Sequence, residues 1–211
     1  MEQDFEILRK KMIEQQLKAR NIQSQAVLDA MLEVPRHLFV PAYLQNSAYN
    51  DCPLPIGREQ TISQPYIVAF MSEQLKVTKG MKILEIGTGS GYQAAILCSL
   101  GCEVYTIELV EELVKTAQHI FSDLKYDTVK IKNGNGFSGW LEEAPFDRII
   151  VTAAPPAIPL KLVEQLKEDG IMIIPVGLVH AVQMLKCITK NDQTIIEKDL
   201  IPVRFVPMVR G

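Results

Sequence analysis

The sequence predicts an α/β fold, in which a doubly wound, mostly parallel sheet carries helices on both faces. Short apolar runs alternate with helical patterns from residue 81 onward, as in parallel strands joined by covering helices. Before residue 81 the patterns are helical, and after Gly177 they are strand-like without clear helices. We therefore expect N-terminal helices on one side of the chain's core and antiparallel C-terminal strands at one edge of the sheet.

Three helices are expected before the sheet begins. Residues 5–19 space apolar side chains near helical periodicity among charged ones. Ser24 can cap a second helix that ends before Pro35, and Pro65 suits the first turn of a third. The intervening stretch, 35–62, is rich in proline and is predicted to be irregular.

The core alternates strands with helices up to residue 176. Parallel strands are expected at 81–86, 103–108, 129–132, 146–152 and 171–176. Helices are expected from the glycine-rich turn to residue 100, over 110–124 and over 159–168. Antiparallel strands are expected at 182–189 and 194–206. The pattern shows no repeat and no linker, so we expect one domain over residues 1–211, with a substrate-side helical region at 1–78 and a core at 79–211.

Composition excludes several classes of protein. The chain has 211 residues, of which 47% are hydrophobic, so burial is ample and global disorder is not expected. A net charge of −3 offers no basic field for a nucleic-acid backbone. The four cysteines form no Cys-x-x-Cys pair, so we expect packing thiols and no metal site. Without a signal core or an apolar run of ~20 residues, a cytoplasmic protein is expected.

A glycine-rich turn follows the first predicted strand of the sheet. The sequence Glu85-Ile-Gly87-Thr88-Gly89-Ser-Gly91 leads from a buried strand into a helix. Glycines allow a sharp turn and close approach of the backbone to a ligand. A dinucleotide fingerprint would need a glycine at position 92, which is tyrosine, and no Gly-Lys-Ser/Thr follows, so a P-loop is excluded. The spacing is that of methyltransferases, although a tight turn without a ligand would read similarly.

Two further polar positions follow the next two strands. Glu108 ends the second strand, 21 residues after Gly87, where a carboxylate can accept hydrogen bonds from both ribose hydroxyls of a nucleoside. Asn135 and Gly136 follow the third strand, where the Asn135 oxygen could receive an adenine amino group. Asparagine and glycine are also ordinary turn residues. A nucleoside site is therefore predicted across the carboxyl ends of the first three strands.

Thr61 and Ser63 place two hydroxyls just before the third predicted helix. From the residues alone, capping of that helix by Ser63 is the simpler interpretation. None of the three histidines adjoins a serine or cysteine in a way that indicates a nucleophile, so none is assigned to catalysis. Trp140 and Phe137 are expected to pack beneath a loop.

The chain resembles the protein-L-isoaspartate O-methyltransferase family over nearly its whole length. Segments that look like family motifs lie at 12–17, 34–41, 60–65, 84–92, 151–155, 174–177 and 203–207. The Thr-Ile-Ser-x-Pro and Val-Arg-Phe-Val-Pro segments are far more specific than the glycine loop, which many methyltransferases share. Two positions depart from the family pattern: Asn135 replaces an aspartate, and Tyr66 replaces a histidine.

The resemblance implies a Rossmann-like fold, S-adenosylmethionine as cofactor, and methylation of the α-carboxylate of isoaspartyl residues in damaged peptides and proteins. Ser63 would orient the carboxylate as the catalytic residue. The other implied contacts divide between substrate and cofactor. Substrate would meet Thr61, Ile62, Arg204 and Val206, and cofactor would meet Glu85, Gly87, Thr88, Gly89, Gly91, Glu108, Asn135 and Gly136. No metal, nucleic acid or membrane is implied, and a monomer is expected.

Two other functions remain open at this point. One is a methyltransferase that acts on a small metabolite carboxylate or a nucleic acid, which the Ser63 and 203–207 segments disfavour. The other is a module that holds the cofactor and recruits a partner without turnover. Methyl transfer to an isoaspartyl peptide separates all three.

Overall fold

The computed structural model describes residues 4–191 and 194–210. Within these residues the α-helices are α1 Phe5–Met12, α2 Gln25–Glu33, α3 Pro65–Gln74, α4 Tyr92–Ser99, α5 Glu111–Asp123 and α6 Leu160–Glu164. The strands are β1 Leu54–Gly57, β2 Gln60–Ile62, β3 Lys82–Ile86, β4 Glu103–Glu108, β5 Lys130–Asn133, β6 Phe146–Val151, β7 Leu166–Val176, β8 Gln183–Asn191 and β9 Thr194–Val203. No helix in the described ranges is long and apolar enough to cross a membrane.

A seven-stranded sheet forms the centre of the chain, in the order β5-β4-β3-β6-β7-β8-β9. The first five strands in this order, β5, β4, β3, β6 and β7, are parallel to one another. β8 and β9 extend the sheet in antiparallel pairing. The chain runs from β3 outward to β5 and then returns to the other side of β3, so a topological switch point lies between β3 and β6. Ligands bind at such points in open α/β sheets. The predicted fold class is confirmed.

Side chains alternate between the two faces of the sheet and belong to two cores. Ile83 and Val104 pack into the core formed with α1 to α5, whereas their neighbours Leu84 and Tyr105 pack into the core formed with α6. Burial on both faces explains the continuous apolar runs of the parallel strands. Trp140 packs edge-on against Tyr105 in the second core, as expected for a residue beneath a loop.

The N-terminal region departs from the sequence prediction in two places. The helix expected over 5–19 ends as α1 at Met12 and continues as a π-helical turn, Ile13–Leu17, and a 3₁₀ turn, Lys18–Arg20. The stretch predicted to be irregular contains two 3₁₀ segments, Arg36–Phe39 and Ala42–Ser47, and the β1–β2 hairpin. Thr61 and Ile62 lie on the second strand of this hairpin, and Ser63 follows directly after it.

The helix predicted over 159–168 is wrong at its C-terminal end. α6 stops at Glu164, and β7 begins at Leu166, which is buried in the second core. Leu166 pairs with Phe146 and Ile171 pairs with Arg148, so residues 167–170 form a bulge opposite one residue of β6. The need to bury Leu166 against the sheet therefore overrides the helical pattern.

The C-terminal segment crosses the carboxyl end of β6. β9 ends at Val203, earlier than the predicted residue 206. Beyond it, the Ala154 N–H donates to the Val206 carbonyl at 2.8 Å, and the Met208 N–H donates to the Ala154 carbonyl at 2.9 Å. These two bonds fix residues 206–208 above the switch point of the sheet.

Candidate active site

A cavity opens at the carboxyl ends of β3, β4 and β6. It holds about 930 Å³ of empty space, counting its opening to solvent. The lining comes from the β1–β2 hairpin and α3, the glycine loop, the end of β4, the turn after β5, the end of β6 and the C-terminal segment. The polar members of the lining include Gln60, Thr61, Ser63, Thr88, Ser90, Gln93, Glu108 and Thr152.

The glycine loop takes a backbone path that side chains would obstruct. Gly87 has φ +96°, and a Cβ there would lie 2.5 Å from the Thr152 hydroxyl oxygen. In the turn after β5, a Cβ at Gly136 would lie 2.4 Å from Ile86 Cγ2. At both positions the glycine backbone packs against a neighbouring side chain, so a side chain in place of glycine would not fit.

Glu108 is held rigidly where the loop and the end of β4 meet. Its side chain is 7% exposed; Oε2 accepts from the Gly89 N–H at 2.8 Å, and Oε1 accepts from the Val110 N–H at 3.0 Å. A carboxylate offers about four lone-pair sites, so these bonds leave acceptor capacity on both oxygens. The structure thus brings together Glu108 and the glycine loop, which the sequence predicted to share a site.

A second cavity adjoins the first and holds about 1,110 Å³ of empty space, counting its opening to solvent. It is lined by the segment before α3, by Val182 and by residues 202–206. Four residues line both cavities: Thr61, Ser63, Thr152 and Val206. Ile62 lines only the first cavity and Arg204 only the second, where its side chain is exposed.

Ser63 does not cap α3. The N-cap position belongs to Gln64, and no side chain makes a capping bond there. The capping interpretation of Ser63 is therefore wrong, and Ser63 lines both cavities, at the boundary between them. That boundary is where two reacting groups, one from each cavity, would meet.

The sequence profile described as protein-L-isoaspartate(D-aspartate) O-methyltransferase (PCMT) matches residues 7–211. The chain belongs to this family. A Gloeobacter violaceus protein-L-isoaspartate O-methyltransferase is 51% identical over 199 residues, which cover 94% of this chain and 97% of that protein. The Opitutus terrae enzyme of the same name is 51% identical over 202 residues, 96% of this chain and 87% of the relative.

Solved structures of PCMT proteins have the same fold. A protein-L-isoaspartate O-methyltransferase matches with a TM-score of 0.86 at 30% identity; the match covers 94% of this chain and 65% of that longer chain. A PCMT from Plasmodium falciparum, solved in complex with S-adenosyl-L-homocysteine, matches with a TM-score of 0.83 at 27% identity and full coverage of both chains. The resemblance read from the sequence motifs is confirmed.

Three residues that the PCMT resemblance assigned to the cofactor lie outside the cavity lining. Glu85 is fully buried behind the loop, where its Oε2 accepts from the Thr106 hydroxyl at 2.5 Å. Gly91 is the N-cap residue of α4 and packs against Phe121. The Asn135 side-chain oxygen accepts from the Phe137 N–H at 2.9 Å and caps a 3₁₀ turn. The structure therefore gives these residues supporting positions, and their direct cofactor contacts stay predictions.

Thr152 is a residue of the site that the sequence assigned no role. It follows β6, and its hydroxyl is the donor to two carbonyl oxygens, that of Gly87 at 2.7 Å and that of Ile86 at 3.0 Å. It thereby links the glycine loop to the wall that the two cavities share. The sequence feature that could have indicated this role is a hydroxyl residue at the carboxyl end of β6, the strand that pairs with β3 and so lies next to the glycine loop.

Glu85 should make the stability of the PCMT fold dependent on pH. Burial raises the pKa of its carboxyl to about 8; the Thr106 hydrogen bond lowers it and Glu108 raises it further. Stability from the protonated group is fully present below the unfolded pKa of about 4.5 and is lost as pH rises through about 8. Glu85→Gln cannot ionise, so its stability relative to wild type should grow between pH 5 and pH 8.5, on the order of a few kcal/mol.

Urea unfolding at both pH values measures this difference. Glu59→Gln, in the exposed turn of the β1–β2 hairpin, is the matched control and should keep the wild-type pH profile. A Glu85→Gln advantage of equal size at pH 5 and pH 8.5 would show that Glu85 is not protonated in the folded chain.

Proposed function

We propose that this chain transfers the methyl group of S-adenosylmethionine to the free α-carboxylate of L-isoaspartyl residues in peptides and proteins. The observation that carries the proposal is the shared wall of Thr61, Ser63, Thr152 and Val206 between the two cavities. One cavity has the glycine loop and acidic strand end of a nucleoside site. The other is open and large enough for a peptide segment.

The first cavity fits the cofactor by the chemistry of its lining. Glu108 offers free lone pairs to paired ribose hydroxyls, and the loop at Gly87 and Gly89 presents backbone without bulky side chains. Gly136 keeps the turn after β5 close to Ile86, beside the nucleoside. When bound, S-adenosylmethionine supplies an electrophilic methyl group on a sulfonium cation.

The acceptor needs no general base in this proposal. An α-carboxyl has an unperturbed pKa near ~3.5, so it is anionic at neutral pH. The protein's task is to hold that carboxylate in line with the methyl group and to limit water around it. Alignment of this kind can supply up to ~7–11 kcal/mol of a barrier in ideal cases.

Ser63 and its neighbours would perform that alignment. The Ser63 hydroxyl donates to the substrate carboxylate from the boundary of the two cavities, with Thr61 beside it and Ile62 buried behind. Backbone groups near Val206 hold the peptide, and the exposed Arg204 guanidinium attracts its negative charge. The methyl ester then closes to a succinimide by attack of the following backbone nitrogen, with loss of methanol, and water partly reopens it to aspartate.

The proposed partners are isoaspartyl-containing peptides and proteins. The net charge of −3 supplies no field for nucleic acid, which supports a protein substrate. We further propose that residues 1–211 act as one domain, as a monomer and in the cytoplasm. In this arrangement residues 1–78 furnish the substrate side and residues 79–211 the cofactor side.

Conversion of an isoaspartyl peptide to its aspartyl form tests the proposed function. The protein is incubated with S-adenosylmethionine and a synthetic isoaspartyl peptide, and the succinimide and aspartyl products are separated by reversed-phase chromatography. We expect both products to accumulate and to be absent when the cofactor is omitted. Methylation of a small dicarboxylic acid, with the peptide left unchanged, would contradict the proposal in favour of a metabolite methyltransferase.

A further inference from the structure

A short chain of hydrogen bonds runs beneath the glycine loop into the interior. The Thr88 and Thr106 hydroxyl oxygens lie 2.7 Å apart, and the Thr106 hydroxyl donates to Glu85 Oε2 at 2.5 Å. Glu85 and Thr106 are fully buried and lie opposite each other on β3 and β4. Of the three, only Thr88 lines the first cavity. These hydrogen bonds therefore connect a buried carboxyl group to the cavity wall.

The state of Glu85 determines the direction of every hydrogen bond in this chain. An ionised carboxylate only accepts, and each hydroxyl has one hydrogen to donate. Thr106 must then donate to Glu85, and Thr88 must donate to Thr106. The Thr88 oxygen is left as a pure acceptor for any further partner. A protonated Glu85 can donate to Thr106 and reverse both bonds, which frees the Thr88 hydrogen.

We propose that Glu85 is a positioning residue that, through Thr106, presents the Thr88 oxygen as a hydrogen-bond acceptor to the ammonium group of the bound cofactor. This inference rests on the proposed function, because it takes S-adenosylmethionine as the ligand. The α-ammonium is the cationic N–H donor of that molecule, since its sulfonium carries no hydrogen. The buried acid thereby contributes to recognition of the amino-acid arm without touching it.

The surroundings of Glu85 couple its ionisation to the arrival of a cation. Its Oε1 is buried and has no hydrogen-bond partner among the described residues. Burial raises the pKa of Glu85 to about 8, and Glu108 raises it further. Cys98 of α4 also interacts electrostatically with Glu85, but burial raises its thiol pKa to about 12, so it stays neutral. An ammonium group at Thr88 would favour the ionised form, and Glu85 would release its proton to solvent.

Thr106 offers the sharpest test because it does not line the cavity. Thr106→Val keeps the shape of the side chain but removes the hydroxyl that links Glu85 to Thr88. Thr106→Ser keeps that hydroxyl. The probes are S-adenosyl-L-homocysteine, which has the amino-acid arm, and 5′-methylthioadenosine, which has the same nucleoside without it. We expect Thr106→Val to weaken S-adenosyl-L-homocysteine binding by about tenfold or more and 5′-methylthioadenosine binding by less than about twofold. Thr106→Ser should bind both ligands about as wild type does.

Proton release supplies a second readout, and Glu85→Gln a second variant if Thr106→Val does not fold. Calorimetric titration of S-adenosyl-L-homocysteine at pH 7 in buffers of different ionisation enthalpy should show a proton released by wild type and none by Glu85→Gln. Equal weakening of both ligands in Thr106→Val, unchanged affinity for both, or proton release that persists in Glu85→Gln would overturn the proposal. Methyl transfer by the wild-type protein to an isoaspartyl peptide tests the proposed function separately, since that result does not depend on the hydrogen bonds between Glu85, Thr106 and Thr88.

Discussion

Replacing Ser63 with alanine should lower kcat for an isoaspartyl peptide by about a hundredfold, while the Kd of S-adenosyl-L-homocysteine stays near its wild-type value. Ser63 lies at the boundary between the two cavities, and its side chain does not cap α3. Its loss would leave the substrate carboxylate free to rotate away from the reacting line, and misplacement by about 1 Å can cost 10²-fold in rate. Steady-state kinetics and calorimetry separate the two quantities.

A matched series isolates the hydroxyl of Ser63 from its volume. Ser63→Thr keeps a donor at the same position and should retain more activity than Ser63→Ala. Thr61→Val removes the neighbouring hydroxyl on β2, which is exposed, and should cost less. If Ser63→Ala keeps full turnover, or if it loses cofactor affinity in proportion to its loss of rate, then Ser63 does not orient the acceptor.

Replacing Glu108 with alanine should weaken cofactor binding by about a hundredfold or more. Hydrogen bonds to a charged group are worth about 1.5–3 kcal/mol each, and Glu108 can accept two from the ribose. The same substitution frees the Gly89 and Val110 N–H groups that its carboxylate now holds. The loss of affinity therefore combines a missing ligand contact with a loosened loop.

Glu108→Gln separates these two contributions. The amide keeps one acceptor oxygen in place but supplies donors where the second oxygen was, so affinity should fall between wild type and Glu108→Ala. Glu112→Ala, an exposed acid on α5 paired with Arg58, is the surface control and should bind the cofactor normally. A calorimetric Kd that is unchanged in Glu108→Ala would remove Glu108 from the cofactor site.

The cofactor side of the site was predictable because its signals are local in the sequence. A buried strand, a run of spaced glycines and an acid at the end of the next strand fix a loop and its neighbour through strand pairing alone. β3 and β4 pair in register from Lys82 with Glu103 to Ile86 with Ile107. That register places Glu108 beside the loop, as the spacing implied.

The β1–β2 hairpin could not be read from its turn residues. Its two-residue turn consists of Arg58 and Glu59, both with positive φ, where Asn-Gly or Asp-Gly would be the usual signal. The stretch around it is rich in proline, which favours an irregular interpretation. The position of Ser63 between two cavities depends on this hairpin and on the distant C-terminal segment, so only the family resemblance indicated it.

Glu85 shows how a family motif can include a residue that lies outside the lining of the cavity. Alternation along β3 places Glu85 on the same face as Ile83, toward the core shared with α1 to α5. The loop turns away after Ile86, so the acid lies beneath the cavity rather than in it. The glycine-loop motif alone predicts neither the burial of Glu85 nor its hydrogen bond to Thr106, because both depend on how β3 pairs with β4.

Transfer of labelled methyl groups to a matched pair of peptides shows directly whether this protein methylates isoaspartyl residues. The two peptides share one sequence and differ only in whether one residue is linked as isoaspartate or as aspartate. With labelled S-adenosylmethionine, we expect base-labile methyl ester on the isoaspartyl peptide and none above background on the aspartyl peptide. Equal labelling of both peptides, or labelling of neither by folded protein that binds the cofactor, would contradict this expectation.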